Sequence, residues 1–457
     1  MDTVHVPQDD HVALARRLAD QGVKYAAGGW IDVNGRSKSK IVPIDHLPQL
    51  LAGSERYTPR GMGDLGRMNP FEDEVVAMPD VDTLCVLPWD RRFAWMAADM
   101  SYGGREPFAL CPRSTLKRQV ERAAGQGLVA NLGVETEFYV FQPVADETDP
   151  LVPMAVSGRQ KPTPAYDLES TFDAMGFLEP MVDAMTELGF GIYSFDHEGG
   201  NGQFEFDFDY GPALQTADRI SLFRLMARQI AKQCGLMATF MPKPVTGGWG
   251  SGHHYNMSLE DAESGENLFR DADDPTGNGW SKTAYSFVAG ILRHAPALAA
   301  VATPTVNSYK RLAPRLADGS ISWAPTFASY GHNNRSCMLR MPANRPAVEN
   351  RGVDSAANTY LAFALMLAAG LEGIELGLDP GDPVAGATYD WAADREGTTR
   401  LPRTLLESVD AFVADPLVHE VFAPQFVGEY ADMKRAEWDS FHAEVTAWER
   451  RRYLRDL

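Results

Sequence analysis

Short apolar runs separated by turn residues dominate the first hundred positions of the chain. The runs cover residues 23–31, 40–44, 83–87 and 93–100. Asn34-Gly35, which lies between the first two runs, is a dipeptide typical of a tight β-hairpin. Runs of this length favour strands over helices. The pattern therefore predicts a small, mainly β domain over residues 1–108.

From Pro112 onward the pattern changes to helices and strands of ordinary length. Residues 113–127 have a helical, amphipathic pattern that begins with a proline and a Ser/Thr cap. Further helices are predicted over residues 213–234 and 281–299 and over most of 403–457. Gly103-Gly104 and Pro107 separate the two patterns. We therefore predict an α+β fold with a second, larger domain over residues 109–457.

A strictly alternating segment, residues 131–141, places two acidic residues side by side. Val134, Thr136 and Phe138 point to one face of the predicted strand, and Glu135 and Glu137 point to the other. Taken alone, the pair fits a solvated strand face as well as it fits a functional site. On a solvated face, neighbouring like charges cost roughly a few tenths of a kcal/mol to about 1 kcal/mol.

A second acidic strand, residues 203–210, strengthens the alternative interpretation, in which the acidic side chains form a binding site. Glu205, Asp207 and Asp209 share one face of it, and the preceding glycine-rich bend, residues 199–202, would bring Glu198 close to Glu205. Alternation does not decide which of the three faces a metal, and a solvated rim is favoured for the two aspartates. Hard divalent cations prefer several carboxylate oxygens. Together with Glu349, these glutamates predict a divalent-cation site.

The loop at residues 246–256 combines four glycines with two histidines. Glycine density allows the backbone to approach a ligand closely, but the P-loop and dinucleotide-binding patterns are absent from the sequence here. His253 and His254 point to opposite faces if the chain is extended. At most one of them is therefore expected to join the carboxylates, and a satisfied polar histidine is the alternative.

Arginines in the second half of the chain supply positive charge to an otherwise acidic protein. Arg311, Arg335, Arg340 and Arg351 each fit a surface ion pair when taken singly. Guanidinium groups pair bidentately with carboxylate and phosphate. Combined with metal-type carboxylates, they predict a site for phosphoryl transfer onto a carboxylate.

Composition and charge remove several classes of function. The 457 residues are 44% hydrophobic and carry a formal net charge of −20, which disfavours nucleic acid as a partner. Cys85, Cys111, Cys234 and Cys337 are too far apart for a zinc ribbon or a dense disulfide framework. Residues 1–10 lack the pattern of a signal peptide, and the apolar segment 359–371 is too short to cross a bilayer. We expect a cytoplasmic protein with neither nucleic acid nor membrane as a partner.

Motifs along the chain resemble those of the glutamine synthetase superfamily, in the order of that family. They are VETEF at residues 134–138, ATFMPKP at 238–244, GSGHH at 250–254, NSYKR at 307–311 and NRS at 334–336. The resemblance implies an N-terminal β-grasp domain, a catalytic α+β domain and a homododecamer of two hexameric rings with active sites between neighbouring subunits. It also implies chemistry in which ATP and glutamate form γ-glutamyl phosphate and an amine then displaces the phosphate.

Metal ligands follow from the resemblance residue by residue. It implies two or three Mg²⁺ or Mn²⁺ ions at each site. One ligand set would be Glu137, Glu198 and Glu205, and the other would be Glu135, His254 and Glu349.

Substrate contacts follow in the same way. The resemblance implies that Arg311 and Arg351 hold the glutamate carboxylate and that Gly250 contacts its amino-acid end. It places Arg335 and Arg340 at the phosphates of the co-substrate ATP, with Arg335 also catalytic, and Tyr210 and Ser258 on the nucleotide side. Since residues 335 and 340 would face opposite sides of one continuous strand, Arg335 is expected in a turn.

Departures from the family pattern concentrate on the amine pocket. Thr58 stands where ammonia-using enzymes carry an aspartate, and Trp323 stands where their flap carries a glutamate. Trp249 replaces a common asparagine, and Asn344 replaces a common nucleotide-side lysine. Tyr389 falls where some bacterial members are adenylylated, although an ordinary loop tyrosine is favoured.

These departures favour an alkylamine acceptor, which needs fewer polar acceptors than ammonium and more apolar surface. Tyr166 and Glu198 are expected to orient and deprotonate the amine, and Asp64 and Asp318 are candidate substitutes for the missing acids. The expected function is ATP-dependent ligation of glutamate to a small primary amine, with methylamine favoured. The alternatives are glutamate–ammonia ligation and a non-catalytic structural or regulatory role.

Overall fold

The structure, a computed structural model, contains both helices and sheets. It describes residues 8–58, 71–104, 106–155, 157–158, 160–162, 164–274, 277–316, 318–391, 395 and 397–456. The helices of the N-terminal part are α1 (Gln8–Asp20) and α2 (Leu47–Leu51). Its strands are β1 (Tyr25–Ile31), β2 (Ser37–Lys38), β3 (Ile41–Pro43), β4 (Arg56–Tyr57), β5 (Val75–Pro79), β6 (Cys85–Val86), β7 (Phe93–Tyr102) and β8 (Glu106–Pro107).

The larger part of the chain adds a second sheet and most of the helices. Its strands are β9 (Leu128–Phe141), β10 (Ile192–His197), β11 (Gln203–Phe208), β12 (Gly211–Pro212), β13 (Met237–Thr239), β14 (His253–Asp261), β15 (Phe327–Ala328), β16 (Tyr330–His332), β17 (Leu339–Met341), β18 (Val348–Asn350) and β19 (Thr399–Arg400). Its helices are α3 (Pro112–Gly125), α4 (Leu168–Phe172), α5 (Met175–Glu187), α6 (Ala213–Gln233), α7 (Lys282–Arg293), α8 (Ala295–Ala302), α9 (Ser308–Arg311), α10 (Thr359–Glu375), α11 (Leu405–Ala414), α12 (Pro416–Val421), α13 (Pro424–Ala443) and α14 (Ala447–Tyr453).

The N-terminal sheet has the strand order β2-β1-β7-β5-β4, with β1 and β7 parallel. The predicted hairpin forms: β1 and β2 are antiparallel, Trp30 lies opposite Lys38, and Gly35 has a φ of 75° that suits glycine. The helices α1 and α2 were not predicted. Leu14, Leu18 and Leu50 from these helices pack in one apolar cluster with Met96 of β7.

The second sheet has the order β10-β11-β9-β14-β18-β17-β16, and its longest strand is β9. The alternation predicted for β9 is confirmed on its buried face. Phe138 is fully buried, and its ring lies 5.9 Å from that of Phe206, 5.7 Å from that of Phe223 and 5.1 Å from that of Phe240. One face of β9 thus belongs to the core, which leaves the other for polar residues. The fold is α+β, as predicted.

The predicted helices are present, with one difference. Residues 281–299 form α7 and α8 rather than one helix, and the two are bent by 76°. Pro296 lies in the first turn of α8, where its missing N–H is tolerated but where it cannot continue a preceding helix. Within the described residues, no single helix has the length and apolar character to cross a bilayer, although this bent pair meets the criterion jointly.

Polar contacts join the N-terminal sheet to the larger part of the chain. Arg113 of α3 is almost fully buried and forms ion pairs with Asp80 at 2.7 Å, Asp99 at 3.0 Å and Asp218 at 2.9 Å. Asn358, which caps α10, donates from Nδ2 to the carbonyl of Asp32 at 2.8 Å. The division at residue 108 stays a prediction.

Candidate active site

Strand register aligns acidic side chains across the second sheet. Glu205 of β11 lies directly opposite Glu137 of β9, and Glu135 of β9 lies opposite His254 of β14. On the outer side of β11, Asp196 of β10 pairs with Glu205. Because directly opposed side chains share a face, these residues form a row across the strands. The row borders a cavity of about 640 Å³.

The bend between β10 and β11 brings Glu198 into the row. The backbone N–H of Glu198 donates to Gln203 O at 2.8 Å, and Gln203 donates back to Gly200 O at 2.9 Å. A Cβ at position 199 would lie 2.7 Å from the ring of Trp249, and one at position 200 would lie 1.9 Å from the hydroxyl of Tyr139. These glycines are required because aromatic side chains pack directly against the backbone.

The candidate metal ligands form overlapping groups. Glu137, Glu198 and Glu205 make up one group, and Glu135, Glu205 and His254 make up another, with potential ligand atoms within 4.8 Å of one another in each. His254 Nδ1 lies 3.3 Å from Glu135 Oε2, and its Nε2 lies 3.7 Å from Glu137 Oε1. Glu205 is therefore common to both groups.

Glu349, expected in the second ligand set, has its carboxylate between two arginines. Its Oε1 accepts from Arg351 at 2.5 Å and its Oε2 accepts from Arg340 at 2.6 Å, while the nearer oxygen is 3.9 Å from His254 Nδ1. Burial would raise the pKa of Glu349, but attraction to Arg351 and His254 outweighs burial and lowers it.

Three carboxylates of the acidic row form no direct ion pair with an arginine among the described residues, and they repel one another. Burial, together with repulsion from neighbouring carboxylates, raises the pKa of Glu137 and Glu198 and raises that of Glu205 well above its ordinary value. Glu135 differs because the hydrogen bond and charge of His254, aided by Arg345, overcome burial and lower its pKa to about 2. Ionised together, these groups require a compensating positive charge.

The glycine loop, residues 246–256, packs against the acidic row. A Cβ at position 252 would lie 2.6 Å from His254 Nε2, 2.9 Å from Glu137 Oε1 and 3.0 Å from Arg311 Nη2. Glycine therefore leaves open the space between these three side chains. His253 points to the opposite side, as predicted, and its ring nitrogens lie 3.0 Å from Thr136 Oγ1 and 3.2 Å from Thr359 Oγ1. The chemistry and spacing of the carboxylate and imidazole groups fit divalent cations.

Arginines occupy the adjacent wall of the cavity. Arg311 is buried and donates from Nη2 to Arg351 O at 3.1 Å, but its Nη1 has no hydrogen-bond partner among the described residues. Arg351 Nε is likewise buried and without a partner there. A position 250 side chain would collide with Arg311 at 2.6 Å, which explains Gly250. Unpaired, buried guanidinium N–H groups favour an anionic ligand at this wall.

Arg335 and Arg340, expected to act together, lie in different places. Arg335 is in the turn after β16, as expected, is exposed, and borders the cavity. Arg340 is buried behind Glu349 and also donates to Asn333 Oδ1 at 2.6 Å. Arg340 is not among the residues that line the cavity.

Aromatic side chains form the remaining rim. Tyr166, Trp249 and Trp323 border the cavity. Tyr166 has a φ of 59° and Trp323 a φ of 61°, values rarely adopted by bulky residues, and their exposed fractions are 75% and 45%. Such strain typically marks sites where function, rather than packing, determines the conformation.

A smaller cavity of about 150 Å³ adjoins the first one. Tyr210 and Ser258 line it together with Tyr193, and Glu135 and Arg345 border both cavities. Tyr210 and Ser258, expected on the nucleotide side, therefore line one cavity, and this cavity meets the acidic row at Glu135.

Other expected site residues lie elsewhere or beyond the described residues. Thr58 is exposed on the N-terminal part and does not line the cavity of its own chain. Asp318 is exposed, and its Oδ1 accepts from the Ser320 backbone at 2.9 Å. Asp64 falls outside the described residues. Tyr389 is buried, with its hydroxyl 3.5 Å from Arg335 O.

Some residues of the site were missed. Arg345 donates to Glu135 Oε1 at 2.8 Å and to Asn256 Oδ1 at 2.7 Å. The sequence signal for it was its neighbour Asn344, which stands where the family commonly has a nucleotide-side lysine. Gln203 donates to Glu137 Oε2 at 3.1 Å, and only its place at the start of the acidic strand hinted at this. Asp196, which also borders the cavity, was not predicted as a site residue.

Comparisons with known proteins agree along almost the whole chain. The family model described as the glutamine synthetase catalytic domain matches residues 109–453. A glutamate–methylamine ligase from Methyloversatilis universalis is 35% identical over 440 residues, which cover 96% of this chain and 97% of that protein. A glutamine synthetase from Rhizobium leguminosarum bv. phaseoli is also 35% identical, over 442 residues that cover 96% and 98%. The solved GmaS/ADP complex has a TM-score of 0.87 at 36% identity and covers 97% of this chain and 99% of its own.

Proposed function

Because the chain belongs to the glutamine synthetase family and is an ATP-dependent carbon–nitrogen ligase, we propose that it joins the γ-carboxyl group of L-glutamate to a small primary amine. The preferred acceptor in this proposal is methylamine. The observation that carries the proposal is one cavity that combines metal-type carboxylates, buried arginines without complete partners, and an aromatic rim.

We assign the divalent cations to the acidic row. Glu137, Glu198 and Glu205 would hold one ion, and Glu135 and His254 would hold another, with Glu205 near both and Glu349 beside His254. Mg²⁺ or Mn²⁺ bound here would neutralise the transferring phosphoryl group and its carboxylate acceptor. The raised pKa values of Glu137, Glu198 and Glu205 support this assignment, since positive charge would relieve the repulsion that raises them.

Glutamate would bind at the arginine wall. Arg311 and Arg351 have buried N–H groups able to donate to a carboxylate. Gly250, against whose backbone Arg311 packs, lines the same cavity and would contact the amino-acid end of the substrate. Arg351 is itself oriented by Glu349 at 2.5 Å. These contacts would hold the γ-carboxyl group toward the acidic row.

ATP would enter from the side of the smaller cavity. Tyr210 and Ser258 line that cavity, which suits the nucleoside, while Arg335 and Arg345 border the larger one, which suits the phosphates. Arg340 would act through Glu349, because its guanidinium is committed to Glu349 and Asn333.

The amine would bind under the aromatic rim. Tyr166, Trp249 and Trp323 offer apolar ring surface for a methyl group and ring faces for a cationic amine, and Glu198 lies beside them as the group that accepts the amine proton. Asp318 is exposed and does not line the cavity, so it would not contact the amine in the site of its own chain.

Glutamine synthesis is the competing function. Relatives of both kinds are equally identical to this chain, so similarity alone does not choose the amine. The choice of methylamine rests on Thr58 and Trp323, since both replace acids that would bind ammonium. A methyl group in an apolar pocket is worth about 1–3 kcal/mol, or about 10- to 200-fold in specificity.

Phosphate release measures this function directly. With ATP, Mg²⁺ and glutamate present, we expect release to require an amine and kcat/KM for methylamine to exceed that for ammonia by about 10- to 200-fold, at equal free-base concentration. Detectable glutamine should form when ammonia is supplied alone. A preference for ammonia after correction for amine pKa would favour glutamine synthetase, and no release with any amine would favour a non-catalytic role.

We also propose that the chain assembles as two stacked hexameric rings with sites shared between subunits. Thr58 does not line the cavity of its own chain, so a role in amine binding would require it to reach the site of a neighbour. The C-terminal residues Val445, Trp448 and Leu454 are exposed apolar side chains, a surface that suits burial against another copy. Light scattering should give about twelve times the 50.2 kDa chain mass, whereas an active species of about 50.2 kDa would exclude the assembly.

A further inference from the structure

A buried serine connects the segments on which the acidic row is built. Ser355 lies between β18 and α10, and its side chain has no solvent exposure. Its hydroxyl lies 2.5 Å from the carbonyl oxygen of Glu137 and 2.8 Å from that of Gly252, positioned to donate to either. Glu137 belongs to β9 and Gly252 to the glycine loop. One side chain therefore links strand and loop at the base of the cavity.

The link lies beside contacts that orient the Glu137 carboxylate. The Gly252 N–H donates to Glu137 Oε2 at 2.8 Å, and the Glu137 N–H donates to Gly252 O at 3.1 Å. With Oε2 also held by Gln203, Oε1 is the oxygen that faces His254. Displacement of the loop from the strand would therefore move the carboxylate oxygens relative to the imidazole.

Ser355 is itself held from behind. Arg224 of α6 is buried, and its Nη2 donates to Ser355 O at 2.8 Å and to Ala357 O at 2.7 Å. A backbone anchored by a buried guanidinium gives the serine hydroxyl a defined position. The contacts thus run from α6 through Ser355 to the carbonyls beneath the acidic row.

We propose that Ser355 is a positioning residue for the divalent-cation site. Its hydroxyl holds Glu137 and Gly252 at the separation required for ion binding. The inference rests on the proposed function, which makes Glu137 a metal ligand. Ser355 itself does not line the cavity. Groups that orient metal ligands typically contribute about 10- to 100-fold to metal affinity.

The test compares Ser355→Ala with a matched variant, Ser286→Ala, in the full chain. Ser286 is also buried and donates its hydroxyl to a carbonyl, that of Leu378 at 2.8 Å, but it lies on α7 away from the cavity. Mn²⁺ binding is measured from the electron paramagnetic resonance signal of free Mn²⁺, without substrates. For Ser355→Ala we expect the dissociation constant to rise about 10-fold, and for Ser286→Ala we expect the wild-type value.

Thermal unfolding without metal separates positioning from general stability. Both variants lose a buried hydroxyl donor, so similar decreases in Tm are expected. Wild-type Mn²⁺ affinity in Ser355→Ala, or equal losses of affinity in the two variants, would overturn the inference while leaving the proposed function intact. Failure of the wild-type protein to bind Mn²⁺ would instead contradict the metal assignment of the proposed function, and the inference with it.

Discussion

Replacing Glu137 by alanine is expected to reduce ATP-dependent phosphate release by about 1000-fold or more while the protein still folds. The reason is that Glu137 is buried at the centre of the acidic row, opposite Glu205 and 3.7 Å from His254. Loss of one ligand from a cation that stabilises phosphoryl transfer removes several kcal/mol of transition-state stabilisation, and each factor of ten corresponds to about 1.4 kcal/mol. Phosphate release at saturating Mg²⁺ is the measurement.

Glu260→Ala is a suitable control because Glu260 lies on the neighbouring strand β14 at its far end, opposite Val129. That variant should retain wild-type turnover. Wild-type turnover in Glu137→Ala itself would defeat the assignment of the acidic row to divalent cations.

The thermal stability of the wild type and of Glu137→Ala gives a second measurement. Burial and repulsion raise the pKa of Glu137, Glu198 and Glu205, so the metal-free folded state binds protons more tightly than the unfolded state does. Stability of the metal-free protein should therefore fall as pH rises through these raised values. Added Mn²⁺ should raise Tm in the wild type by mass action and should raise it much less in Glu137→Ala.

Replacing Trp323 by glutamate is expected to reduce the preference for methylamine over ammonia by about 10-fold or more. Trp323 borders the cavity in a strained conformation, and its ring would supply the apolar contact that discriminates in favour of a methyl group. A carboxylate at the same position would remove that contact and would attract ammonium. The ratio of the two kcat/KM values, corrected to free base, is the quantity to compare.

Trp323→Phe provides the matched control. Phenylalanine keeps an aromatic ring and must adopt the same unusual φ, so backbone strain is shared by both variants. We expect its preference for methylamine to stay within a few-fold of wild type, and an equal collapse of the ratio in both variants would place the discrimination elsewhere.

The features determined by the sequence itself are those set by local geometry. The period of two along a strand puts Glu135 and Glu137 on one face of β9 and sends His253 and His254 to opposite sides, as the structure has them. The glycine-rich bend that brings Glu198 to Glu205 is also short and contiguous, although its glycines are required by tertiary contacts, because Trp249 and Tyr139 pack against the backbone there. The motifs identified the family for a similar reason, since they are short and contiguous.

Only the tertiary structure decided how distant segments combine. That Glu205 is common to both ligand groups follows from the register between β11, β9 and β14, which no single strand specifies. The pairing of Arg340 with Glu349 depends likewise on β17 lying beside β18. Ser355 reaches Glu137 across 218 positions of chain, and the hydroxyl of a serine carries no pattern by which such a contact is predicted. Side-chain direction is thus a property of the local backbone, whereas the partner it meets depends on packing of the whole chain.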